Sequence, residues 1–176
     1  ASRVLAARGF APAWAAGHSL GEYSAHVAAG TFGFADALRV VSHRGRYMQD
    51  AVPLGAGAMA AVLGLDAAGV MAACEAAALG EVVSPANLNA PGQVVIAGTK
   101  AAVERAGVEA KARGAKRVIA LNVSAPFHCA LMAPAQARLE PELRALTVQA
   151  PRVPVVANID GQPRRDGASS IEALVA

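Results

Sequence analysis

A chain of 176 residues fits one compact domain, or one domain carrying a small inserted lobe. Hydrophobic residues make up 55% and charged residues 16%, which excludes a disordered chain. The net charge of +3 comes from Lys and Arg scattered along the chain, which leaves nucleic-acid binding unsupported but still suits an acidic protein partner.

In chain order, "SRVLAARGF" reads as the tail of a helix stopped by Gly9, with no initiator Met before it. "APAWAAGHS" is a short apolar run entering the turn Gly17-His18-Ser19-Leu20-Gly21. Helices are expected over about 20–29, closed by Gly30, and over about 34–51, closed by Pro53. The pattern then changes to strand 58–65, helix 67–79, strand 82–88, strand 93–98, helix 100–113 and strand 117–123. "NAPGQ" supplies the turn between the middle strands. Next come the loop "SAPFHCALM", a helix over about 131–146 and a buried strand "VPVVANI". "SSIEALVA" reads as a helix starting after a Ser cap. Both edges look cut, so the expectation is an internal piece of a longer protein.

The order β-α-β-β-α-β over residues 56–123 is the ferredoxin-like split motif. The expected fold class is α/β, with a hydrolase-like parallel-sheet body over 1–55 and 124–176 interrupted by that lobe. An apolar content of mostly alanine and valine suits helices packed closely on a buried sheet. Cys74 and Cys129 have no metal-ligand spacing and form no disulfide framework, which reads as a reduced, cytoplasmic compartment. No apolar run reaches the length needed to span a bilayer, and no signal peptide is visible.

Ser19 sits in a Gly-x-Ser-x-Gly turn between an apolar run and a helix, the setting of a nucleophile elbow. There the backbone N–H of Leu20 can point at an oxyanion, favoured by the helix dipole. The competing explanation is an N-cap, with Glu22 three residues later completing a capping box. Among the histidines, His18 is adjacent to the serine and points away from it, while His26 and His43 fall on outer helix faces. His128 remains as the candidate base on its loop, although a histidine that caps the following helix accounts for the spacing as well.

On the second helix, Asp36, Arg39, His43, Arg46 and Asp50 project to one side, and Ala37, Leu38, Val41, Gly45 and Met48 to the other. Arg44 falls at the margin of the apolar side. An inward cation needs an anion; a structural Asp or Glu is the commoner partner, and a substrate carboxylate gripped by the guanidinium is the alternative.

"GHSLGEYSA", "RGRYMQDAVP", "GAMAAVLGL", "ANLNAPGQVVIAG" and "VSAPFHCALM" occur together in this order. Jointly they resemble the bacterial malonyl-CoA:acyl carrier protein transacylases of fatty-acid synthesis, over almost the whole chain. The resemblance implies that Ser19 is the acylated nucleophile, His128 its base, Leu20 N–H an oxyanion donor and Arg44 the anchor of the malonyl carboxylate. Phe127 looks like the bulky residue that malonyl-selective members place beside the histidine. Malonyl-CoA and acyl carrier protein are the implied partners of a monomeric parent enzyme, with no metal, no cofactor, no nucleic acid and no membrane.

Two elements of the family pattern lie outside this chain. A glutamine-bearing stretch with the second oxyanion donor should precede Ala1, and a segment with a further glutamine and the last strands should follow Ala176. The piece alone is therefore expected to fold poorly and to be nearly inactive. Two other functions fit parts of the sequence: a serine esterase or thioesterase, which needs an acidic partner for His128 and no inward Arg, and a non-catalytic remnant that only docks a carrier protein.

Overall fold

The helix starts at residues 67, 100 and 167 are fixed by side chains that satisfy the first free N–H groups. Asp66 accepts from Gly69 N–H, Thr99 from Ala102 N–H and Asp166 from Ser169 N–H. The cap of the last helix is thus Asp166, where the sequence pattern suggested a serine. The aspartate stands directly before a glycine, and that obscures the helix start.

The computed structural model describes residues 2–176. Along the chain run α1 (Ser2–Ala7), β1 (Ala15–Ala16), α2 (Leu20–Ala29), α3 (Phe34–Ala51), β2 (Gly57–Leu63), α4 (Ala67–Ala78) and β3 (Val83–Ala90). They are followed by β4 (Gln93–Thr99), α5 (Lys100–Ala112), β5 (Arg117–Ala120), a 3-10 turn (Ala130–Met132), α6 (Ala133–Arg144), β6 (Val155–Val156), β7 (Pro163–Arg164) and α7 (Gly167–Val175). The fold is α/β, with one mixed and one antiparallel sheet, in two compact units: residues 1–45 with 137–176, and residues 46–136. Among the described residues no helix is long and apolar enough to cross a membrane.

In the first unit, β1 pairs in parallel with β6, Ala15 opposite Val155 and Ala16 opposite Val156. β7 adds to β6 in antiparallel fashion, so this sheet is mixed, where the sequence suggested a parallel one. Only two residues of "VPVVANI" are strand, and the parallel contact is just long enough to align the chain segments that leave β1 and β6. Ala25 and Ala29 of α2 pack with Val155, and Gly30 ends the helix in the left-handed conformation (φ 80°). Gly17 lies so close to that helix that a Cβ on it would sit 2.0 Å from the Gly21 carbonyl carbon.

In the second unit the strand order is β3-β4-β2-β5, antiparallel throughout. β2 and β4 match residue for residue, from Gly57 opposite Thr99 to Leu63 opposite Gln93. Pro85 lies on the edge strand β3, beside a register shift, where its missing N–H is tolerated. α4 and α5 cover one face around Val62, Val70, Cys74, Val94, Ile96 and Val103. On the other face Met59, Val95 and Ala97 meet the partly buried Phe127 and Cys129. Gly57 makes room for this: a Cβ there would stand 2.4 Å from the Pro126 ring. The loop that carries Phe127 and His128 is thereby seated directly on β2.

Candidate active site

Between β1 and α2 the chain turns through Gly17, His18 and Ser19, and Ser19 itself adopts φ 51° and ψ −109°. A non-glycine residue in this region costs about 1–3 kcal/mol and needs surroundings that hold it. Here the holder is Asn158, two residues beyond β6. Its Oδ1 accepts from Ser19 N–H at 2.5 Å, and its Nδ2 donates to Gly17 O at 2.6 Å. At roughly 0.5–1.5 kcal/mol each, two such bonds are of the size needed to offset the strain.

The other amides of the turn are also engaged. Gly21 N–H donates to His18 O and Glu22 N–H to Ser19 O. The N–H of Leu20, the first residue of α2, is not among these bonds, and it is the group that a helix-start oxyanion site would use.

The Ser19 side chain does not cap α2. Its Oγ accepts from Arg44 Nη2 at 3.0 Å, and the Arg44 guanidinium lies 5.8 Å from the centre of the Tyr23 ring. Among the described residues no carboxylate pairs with Arg44, so the structural ion pair that physics ranked first is not formed. Glu22 belongs to no capping box either: its Oε2 accepts from Asn158 N–H at 3.2 Å. Burial raises the Glu22 pKa, the Asn158 N–H and the Arg164 charge pull it down, and Asp160 raises it. Burial likewise raises the Tyr23 hydroxyl, against the pull of Arg44.

Two histidines correct the helical-wheel expectation. His26 is completely buried, with Nδ1 3.0 Å from Thr31 Oγ1 and its ring 5.5 Å from the Phe32 ring. Burial lowers its pKa to about 4. His43 is half-buried, with Nδ1 2.7 Å from Glu142 Oε2. On the same helix Val40 is buried while Leu38 and Gly45 are exposed, so the buried stripe is rotated from the one drawn by composition. His18 is exposed.

Ser19, Leu20 and Arg44 are assembled within the first unit; Phe127 and His128 are neighbours on one loop of the second. His128 is exposed and takes a left-handed conformation (φ 58°), between the half-buried Phe127 and Cys129. The Cys129 thiol donates to Pro126 O at 3.2 Å, and Met132 N–H donates to Cys129 O, which closes the loop. Asn89, expected in the turn "NAPGQ", lies instead within β3. Among the described residues no cluster of three or more His, Cys, Asp or Glu could hold a metal ion.

A serine held on a strained strand-to-helix turn, with the helix-start amide of Leu20 beside it and a cation at its Oγ, is an arrangement for acyl chemistry. The family description "acyl transferase domain" matches residues 1–174. The chain belongs to the acyl transferase domain family. The malonyl CoA-acyl carrier protein transacylase of Escherichia coli (strain K12) is 60% identical over 167 residues, which is 95% of this chain and 54% of that protein. The chain spans about half the length of the curated relatives it matches. An acyl carrier protein S-malonyltransferase from Vibrio cholerae superposes with a TM-score of 0.96 at 52% identity, over 99% of this chain and 57% of that one. A malonyl-transacylase solved in complex with a type II PKS acyl-carrier protein gives 0.96 at 50% identity, again over 99% and 57%.

Within this acyl transferase domain, Asn158 and Tyr23 carry no local sequence signal of their roles. Asn158 could have been found from "VPVVANID" had the pairing of β6 with β1 been known, because residues just past adjacent parallel strands converge. Tyr23 lies one turn beyond Ser19 on α2, and only the position of Arg44 on α3 gives it a role.

Proposed function

We propose that the protein is a malonyl-CoA:acyl carrier protein transacylase of fatty-acid synthesis, and that this chain carries the nucleophile, the base and the carboxylate anchor of the reaction. The observation that carries this reading is the Arg44 guanidinium at Ser19 Oγ, with no carboxylate partner among the described residues. A cation so placed can grip an acyl substrate that ends in a carboxylate, in bidentate fashion, while the serine attacks its other end. An esterase for uncharged acyl groups has no use for it.

Malonyl-CoA binds with its free carboxylate on Arg44 and its thioester carbonyl toward Leu20 N–H. His128 accepts the Ser19 hydroxyl proton as Oγ forms a bond to the thioester carbon. The resulting oxyanion is held by the Leu20 amide and collapses, breaking the carbon–sulfur bond. Coenzyme A leaves as the thiol, taking the proton from His128, and Ser19 carries the malonyl ester. The phosphopantetheine thiol of acyl carrier protein then gives its proton to His128 and attacks the ester carbon. Ser19 leaves with that proton, and the free enzyme is restored. The reaction is ping-pong and needs no metal or resident cofactor. Phe127 crowds a 2-methyl branch on the acyl chain, worth about 1–3 kcal/mol of discrimination.

The same reading divides the chain into a hydrolase-like body over 1–55 and 124–176 and a ferredoxin-like lobe over 56–123. The antiparallel order β3-β4-β2-β5 supports the lobe, and the Ser19 turn between β1 and α2 supports the body. The thiols Cys74 and Cys129 suit a cytoplasmic enzyme. The deciding experiment is mass spectrometry of the full-length gene product after mixing with malonyl-CoA. A single malonyl increment on the peptide bearing Ser19, discharged by acyl carrier protein, is the expected result. An unmodified Ser19 would refute the reading.

A further inference from the structure

We infer that Asn158 is a positioning residue for the nucleophile, its carboxamide clamping both sides of the Ser19 turn; the inference rests on the reading of Ser19 as the acylated residue. A carboxamide offers one acceptor and two donors, and here both ends are used on one short loop. Oδ1 takes the N–H of Ser19 and Nδ2 gives a proton to Gly17 O. The reverse orientation would set amide N–H against N–H and oxygen against oxygen, so the two partners fix which way the side chain faces.

The backbone of Asn158 is pinned in turn. Its N–H donates to Oε2 of Glu22, on the first turn of α2. Glu22 is only 4% exposed, and its Oε1 has no hydrogen-bond partner among the described residues. A buried carboxylate with one oxygen idle is a costly way to fill space. It is accounted for if its work is to hold Asn158 in place. One residue, 139 positions away in sequence from Ser19, therefore bonds to Gly17, Ser19 and Glu22 together.

The consequence for catalysis lies in which amide remains available. By engaging Ser19 N–H, Asn158 holds the serine at its positive φ and leaves the next amide, Leu20 N–H, as the one directed to an oxyanion. Ser19 Oγ is held at the same time within reach of Arg44. No neutral side chain without both an acceptor and a donor can replace this clamp. Aspartate keeps the acceptor for Ser19 N–H but loses the donor to Gly17 O.

The test uses the full-length gene product with Asn158→Ala and Asn158→Asp. It measures fluorophosphonate labelling of Ser19, steady-state malonyl transfer and the thermal midpoint. Misplacing a reacting atom by about 1 Å costs up to roughly 100-fold. Asn158→Ala should therefore slow both labelling and kcat by about 10- to 100-fold, with KM for malonyl-CoA changed less than about threefold. Asn158→Asp should fall between it and the parent. A folded Asn158→Ala protein with both rates within about threefold of the parent overturns the inference.

Hydrogen exchange on the unmodified protein decides the matter even if neither variant folds. The Ser19 amide should be protected well beyond the exposed amides of neighbouring loops, and exchange at their rate overturns the clamp. If the parent labels with fluorophosphonate but does not transfer malonyl, the functional reading fails and the labelling rates still judge Asn158. If Ser19 does not label at all, both fail.

Discussion

Arg44 donates from Nη2 to Oγ of Ser19 at 3.0 Å, across from one helix to the start of another, and carries no carboxylate partner among the described residues. A guanidinium half-withdrawn from water is normally neutralised; this one is supported by the Tyr23 ring. On the proposed function, replacing Arg44 with Ala removes the anchor for a substrate carboxylate. A charge-assisted hydrogen bond contributes about 1.5–3 kcal/mol, so kcat/KM for malonyl-CoA should fall at least roughly 10- to 100-fold. Hydrolysis of uncharged acyl thioesters should persist or improve in the same variant. Steady-state rates with the two substrate classes decide this, and intact malonyl transfer would remove Arg44 from the site.

The ring beneath Arg44 yields a separate prediction. Tyr23 is buried on α2, and its π-face meets the cation while its hydroxyl has no part in that contact. Tyr23→Phe should keep malonyl transfer within a few-fold of the parent. Tyr23→Leu forfeits a cation–π contact of about 0.5–2 kcal/mol and should raise KM for malonyl-CoA roughly 2- to 30-fold. Equal KM values for the Phe and Leu variants would show that the ring does not hold the guanidinium.

How much of this was legible in the sequence depended on the range of each interaction. The helices over 20–29 and 34–51 and the β-α-β-β-α-β order follow from local periodicity and breakers, and they stand within a few residues of their expected bounds. The turn at Ser19 was legible for the same reason. Arg44 is legible as a cation at the margin of the apolar side, but the buried stripe of its helix is rotated from the one its composition suggests. Val40 is buried and Leu38 exposed because packing, not composition, decides which face turns inward. The burial of His26 is illegible for the same reason: in a helix rich in small residues the apolar periodicity is weak, and a lone imidazole carries no label for burial. Asn158 could not be read at all, since its partners are set by a two-residue parallel register between segments far apart in sequence.

Gly57 links the sheet of the second unit to the loop bearing His128. A Cβ at this position would stand 2.4 Å from the Pro126 ring, far inside contact distance. Gly57→Ala must displace either β2 or the loop 126–129, at a cost of about 1–3 kcal/mol. Because the loop has fewer backbone bonds than the strand, it is the part that should move. On the proposed roles of Phe127 and His128, which travel with Pro126, the expected outcome is a modest drop in thermal midpoint with a larger loss of Ser19 malonylation. Gly55→Ala, in open space but at φ 83°, controls for backbone strain. A Gly57→Ala protein that is destabilised but malonylates at the parent rate would separate this contact from the chemistry.

His26 makes stability depend on pH with a definite sign. Its ring is completely buried, its Nε2 has no partner among the described residues, and burial alone lowers its pKa from 6.5 to about 4. Between those values the unfolded chain binds a proton that the folded one refuses, so stability falls as pH drops through the window. The full span is worth about 3 kcal/mol. Glu22 works in the opposite direction: its raised pKa means the folded state keeps a proton that the unfolded chain has lost, which lowers stability as pH rises above the ordinary carboxylate value. The net curve mixes the two, and a variant isolates the histidine. Urea unfolding of the parent and of His26→Gln from pH 4.5 to 7 should give free energies that converge toward the acid end, because only the parent loses stability through imidazole protonation. Parallel curves would mean that the buried ring is protonated in the fold as readily as in the open chain.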